Sequence, residues 1–111
     1  MTIQFVQEGA SIDYTPDADV GAGVGVIQKY LFGITKAFIK GGELGALAIE
    51  GIYDIPKSTD PGAEFEAGDY VLFDETLQIA KPLSMGGDIL IGRAVADAAE
   101  AATEVQVKLL V

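Results

Sequence analysis

Glu104-Val105-Gln106-Val107-Lys108-Leu109 alternates polar and apolar side chains without a break. Successive side chains on a β-strand point to opposite faces, so this stretch reads as a half-buried strand with Val105, Val107 and Leu109 turned toward a core. The same period of two recurs at the other end of the chain. Ile12 and Tyr14 alternate with Ser11, Asp13 and Thr15, and Ile3 and Phe5 alternate with polar neighbours, which predicts two N-terminal strands. Between these ends, a glycine and an acid precede a strand-like apolar run three times: Gly42-Glu43 before 44–49, Gly68-Asp69 before 70–73, and Gly87-Asp88 before 89–95. Glycine supplies the positive φ of a tight turn and the acid accepts hydrogen bonds from nearby backbone N–H groups, so each pair announces a turn feeding a strand.

The intervening segments follow the same grammar. Residues 24–40 predict strand, turn and strand, with Gly33 as the pivot between 27–32 and 34–39. The run 44–55 is apolar almost throughout, broken by Glu50 and Gly51, so both of its faces are expected to be covered, by a second layer or by a neighbouring subunit. Residues 56–68, with two prolines, Ser58-Thr59-Asp60 and two glutamates, predict an exposed loop. A short hairpin joins 70–73 to 77–81 across Asp74-Glu75-Thr76, and 81–87 forms the next loop. The alanine-rich stretch 97–103 is too short to hold a helix unaided and is expected to be a loop or a single turn. The expectation is therefore one all-β domain spanning 1–111, a small β-barrel or β-sandwich of eight to nine short strands with little or no helix.

Composition bounds the function. A chain of 111 residues buries about two-thirds of its unfolded surface as a single domain. Its 14 glycines are about twice the usual share of roughly 7%, and four Tyr, five Phe and no Trp leave a core of small side chains. The sequence contains neither cysteine nor histidine, so disulfides, thiolate metal sites and the usual general base are all missing. With 7 basic and 17 acidic residues the formal net charge is −10. The cations are scattered singly, which argues against nucleic acid as a partner. No apolar run reaches the roughly 20 residues of a membrane helix, and the N-terminal stretch lacks a basic leader, so a soluble product retained where it is made is expected.

Motifs that could carry chemistry fail on inspection. Gly21, Gly23 and Gly25 suggest a phosphate loop, but Val26 stands where a dinucleotide fingerprint needs its third glycine, and a strand rather than a helix is predicted to follow. Asp13, Asp17 and Asp19 lack the order and closing glutamate of a calcium loop. Ser11, Ser58 and Ser84 have no activating partner, and the acid pairs Glu64/Glu66 and Asp74/Glu75 are expected in any chain this acidic. No catalytic residue, cofactor, metal or small-molecule substrate is expected.

Taken in order along the chain, several segments resemble one family. They are Phe5-Val-Gln-Glu-Gly9, Ile12-Asp-Tyr-Thr-Pro16, Leu31-Phe-Gly-Ile34, Gly42-Glu-Leu-Gly-Ala-Leu-Ala-Ile-Glu-Gly51, Ile52-Tyr-Asp-Ile-Pro-Lys57, Gly68-Asp-Tyr-Val-Leu-Phe-Asp74, Ile91-Gly-Arg-Ala-Val95 and Val105-Gln-Val-Lys-Leu109. Together they look like the small bacteriophage capsid cement, or head decoration, proteins. The resemblance departs from the pattern at Gln28-Lys29-Tyr30, where a glycine-containing turn would be expected. It implies a small β-barrel or sandwich, often a homotrimer, that binds the exterior of a tailed-phage or prophage head and reinforces contacts between major capsid proteins. It also implies synthesis in the bacterial cytoplasm and residence on the virion. No functional residue transfers by name.

A charge of −10 suits the outside of a DNA-filled head and keeps copies soluble. Residues 1–9 are expected to form an extended arm reaching the capsid or a neighbouring subunit. Candidate interface residues are Phe5, Val6, Tyr14, Tyr30, Leu47, Ile49 and Tyr53. Two other functions compete. One is a β-barrel binding or carrier domain, which would need an exposed lysine at a hairpin tip, with Lys57 and Lys81 the nearest approximations. The other is a different virion component, such as a tail or head-completion subunit.

Overall fold

A computed structural model describes residues 11–109, and within them nine strands form two antiparallel sheets. The first sheet contains β1 (Ser11–Tyr14), β2 (Gly25–Gln28), β3 (Leu31–Thr35) and β4 (Gly45–Ala48) in the order β1-β4-β3-β2. The second contains β5 (Ile52–Pro56), β6 (Tyr70–Asp74), β7 (Ile79–Pro82), β8 (Ile89–Ala94) and β9 (Glu104–Leu109) in the order β5-β9-β8-β6-β7. A single 3-10 turn at Leu83–Met85 is the one helical element among the described residues. The all-β expectation is met, and the molecule is thin, 19 Å along its shortest axis.

The alternation at the C-terminus is realised residue by residue: Val105, Val107 and Leu109 are buried and Glu104, Gln106 and Lys108 are exposed. These apolar side chains join Ile55, Val71, Phe73, Ala80 and Ile91 in the main core. The five-stranded sheet curls until its two edge strands meet at one end, where Ser58 N–H donates to the Ala80 carbonyl at 3.1 Å. The first sheet packs against this core through Phe32, whose ring lies 4.8 Å from that of Phe73 at an interplanar angle of 57°. Edge strand β2 is clasped rather than open. Gln78 accepts from Gly25 N–H and donates to the Gly25 carbonyl, and Glu75 accepts from Ile27 N–H at 2.9 Å. Side chains from the β6–β7 turn therefore occupy the groups that a further strand would pair with.

Several local expectations are corrected. The turn between β2 and β3 falls at Lys29-Tyr30, with Lys29 at φ 61°, and Gly33 lies inside β3. A Cβ on Gly33 would stand 2.7 Å from the Leu47 Cβ, so the glycine serves close strand packing. The apolar run 44–55 is two strands in two sheets, broken by a corner at Gly51 with φ 118°. Its Leu47, Ala48 and Ile49 are buried, whereas Leu44 and Ile52 are open, so the run is covered by its own chain only in part. Segment 56–68 is tied down: Lys57, Ser58, Ala63 and Phe65 are buried, and Phe65 exchanges backbone hydrogen bonds with Ala98. At the third glycine-acid turn Gly86, not Gly87, takes the positive φ, while Asp88 accepts from Glu75 N–H. The β6–β7 turn extends through Gln78, two residues later than the sequence spacing suggests. The predicted strand around Ile3 and Phe5 lies outside the described residues.

Candidate functional site

Three N–H groups of the glycine loop at 21–25 are consumed within the chain and do not point at an anion. Gly23 N–H donates to the Thr35 carbonyl, Val24 N–H to Thr35 Oγ1, and Gly25 N–H to Gln78. Among the described residues no three His, Cys, Asp or Glu side chains gather closely enough to hold a metal ion. The lysines considered for a carrier role are both engaged. Lys57 is 4% exposed, and its ammonium donates to the carbonyl oxygens of Ser58, Glu100 and Ala102 at 2.8, 3.0 and 3.0 Å. Burial lowers its pKa from the usual 10.5, partly countered by the Glu100 carboxylate. Lys81 pairs with Asp74 at 3.0 Å. The Leu77 N–H and then the Lys81 ammonium hold the Asp74 carboxyl below its ordinary 3.8.

What the fold does present is apolar surface. Tyr30, at the tip of the β2–β3 hairpin, is 88% exposed and is followed by the partly open Leu31. Phe38 and Leu44 stand open in the β3–β4 connection, and Tyr70 carries the Arg93 guanidinium 4.8 Å from its ring centre. Two concavities accompany these residues. An open cleft of about 510 Å³ runs along the start of β6, lined by Glu64, Glu66, Asp69, Tyr70 and Leu83. A smaller, mainly apolar cleft of about 250 Å³ lies where the two sheets meet, lined by Phe32, Ile34, Tyr53, Ile55 and Phe73 with Asp54 and Gln78.

The candidate interface residues are thus dispersed. Tyr14 is half-buried on β1 opposite Gly45. Leu47 and Ile49 are buried in the chain itself. Tyr53 is half-buried in the inter-sheet cleft, its hydroxyl donating to the Glu50 carbonyl at 3.2 Å. Phe5 and Val6 lie outside the described residues. Leu83 did not stand out in the sequence, because an apolar residue in a loop has no periodicity to reveal which way it faces, and Phe38 and Leu44 fall within the strand-like runs 34–39 and 44–55.

The domain thus carries large apolar side chains in the open, among them Tyr30, Phe38, Leu44, Leu77 and Leu83. The profile of a family described as phage cement protein matches residues 6–109, nearly the whole chain. The chain belongs to the phage cement protein family. Comparison with curated proteins and with solved structures gives no significant match. Family membership makes this a structural, capsid-associated protein of the phage virion rather than an enzyme. The buried Lys57 and the strand-clasping Gln78 and Glu75 tie separate segments of this scaffold together.

Proposed function

We propose that this cement protein binds the exterior of a tailed-phage head as a homotrimer and reinforces contacts between major capsid proteins. The observation that carries the reading is the family match over 6–109. The surface supports it. A net charge of −10 is unfavourable beside packaged DNA and favourable outside the shell. The open cleft combines the carboxylates of Glu64, Glu66 and Asp69 with the apolar Tyr70 and Leu83, a lining suited to a cationic and partly apolar segment of a capsid subunit. A trimer touching several subunits gains effective concentration after its first contact, so small patches reach an avidity gain of roughly 10²–10⁴. Residues 1–9 act in this reading as an arm toward the capsid or a neighbouring copy.

The test is co-sedimentation of the full chain with undecorated heads, beside a variant lacking residues 1–7. The full chain is expected to pellet at a saturable ratio and the truncated chain to bind more weakly. A full chain that stays in the supernatant overturns the capsid reading, and undiminished binding of the truncated chain overturns the arm.

A further inference from the structure

We propose that copies of this chain join head to tail, the Lys29-Tyr30 hairpin tip of one copy entering the inter-sheet cleft of the next. This rests on the homo-oligomer reading above and assigns it a contact. Tyr30 is 88% exposed, so an aromatic ring stands in water at the end of a hairpin. That hairpin is held firmly, because β2 is clasped to the second sheet by Gln78 and Glu75. A rigid exposed aromatic is the kind of side chain that anchors interfaces, since few rotamers are lost when it is buried.

The cleft offers a matching recess. Its apolar lining comes from Phe32, Ile34, Tyr53, Ile55 and Phe73, and its volume is about 250 Å³. An apolar cavity of about 150 Å³ admits a benzene ring, so a phenol ring fits this one with its hydroxyl directed to the mouth. The exposed Asp54 is part of the lining, and the exposed Lys29 directly precedes Tyr30. Copies carrying −10 each repel one another, so a contact that turns the Lys29 cation toward the Asp54 side of the cleft is favoured over one that sets acid against acid.

The two features cannot satisfy each other within one chain. The tip lies at the Gln28–Leu31 end of the hairpin, whereas the cleft opens beside the Gly25–Ile34 pair, three residues or about 10 Å further along the strands. A knob and a recess at different places on one subunit make a heterologous interface, which closes into a ring when the rotation allows it.

The experiment is light scattering after size exclusion on the full-length wild type, Tyr30→Ala, Lys29→Glu, Asp54→Lys and the double variant Lys29→Glu/Asp54→Lys. Circular dichroism checks the fold, and head co-sedimentation is read in parallel. The wild type is expected to run as a closed oligomer and Tyr30→Ala as a monomer. Each single charge reversal should raise the dissociation concentration at least about tenfold, and the double variant should recover most of that loss. A folded Tyr30→Ala chain with the wild-type mass overturns the proposal, as does a double variant no better than the singles. A wild type that co-sediments with heads yet remains monomeric without them also overturns it, while leaving capsid binding intact.

Discussion

Replacing Lys57 by methionine keeps the stem packed and removes the ammonium from its three carbonyl acceptors, and it should destabilise the fold sharply. The acceptors Ser58, Glu100 and Ala102 lie in two segments far apart in the chain, so the ammonium staples 56–68 to the alanine-rich turn before β9. Removing the ammonium leaves three carbonyl oxygens without their donor, a cost of about 1–3 kcal/mol each or about 3–9 kcal/mol in all. The variant no longer buries a charge, which returns several kcal/mol, leaving a net loss on the order of 2–4 kcal/mol. For a chain this long, with total stability of about 6–17 kcal/mol, that is a lowering of Tm by about 8–16 °C. Urea denaturation gives the number directly, with an unchanged slope showing that the comparison is sound. A loss below about 1 kcal/mol would refute the stapling argument. The pH dependence supplies a second check. Burial lowers the Lys57 pKa below 10.5, so between the folded value and 10.5 the unfolded chain binds more protons than the folded one. Stability of the parent relative to Lys57→Met should therefore rise with pH across that window. A relative fall would mean that the carbonyl cage favours the ammonium more than burial penalises it.

Two further outcomes are expected. Gly92→Ala should lose about 1–3 kcal/mol or more in urea denaturation, because its Cβ would meet the Lys108 carbonyl of the neighbouring strand, whose backbone cannot step aside. Gly21→Ala, with nothing within 4 Å, should stay within about 0.5 kcal/mol of the parent, and equal effects at the two sites would refute the packing argument. Asp74 has a lowered pKa, so the stability it contributes is present above 3.8 and lost as pH falls through its folded value. The advantage of the parent over Asp74→Asn in urea midpoint should accordingly shrink on acidification, and an advantage constant from pH 7 downward would contradict the assignment.

Strands with one wet face were legible from sequence, as at Val105, Val107 and Leu109, because alternation records the difference between core and solvent directly. The Lys29-Tyr30 turn was not, because Lys29 takes a positive φ that sequence assigns to glycine, and the available glycine, Gly33, was needed beneath Leu47. Lys57 was misread as part of an exposed loop because a lysine beside proline carries no local sign of three carbonyls brought from elsewhere. Of the candidate interface residues, Tyr30 is fully presented and Tyr53 lines a recess, whereas Leu47 and Ile49 are buried within the chain.

The sequence by itself determined the all-β class, the exclusion of cysteine and histidine chemistry, the acidic surface and the family resemblance, since these depend on residue identity and short-range order. Tertiary structure alone decided where 44–55 breaks between sheets, which edge is clasped by Gln78 and Glu75, and which aromatics face water. Those features arise from contacts between segments up to 53 residues apart, and a hydrogen bond across such a separation leaves no periodic trace in the chain that makes it.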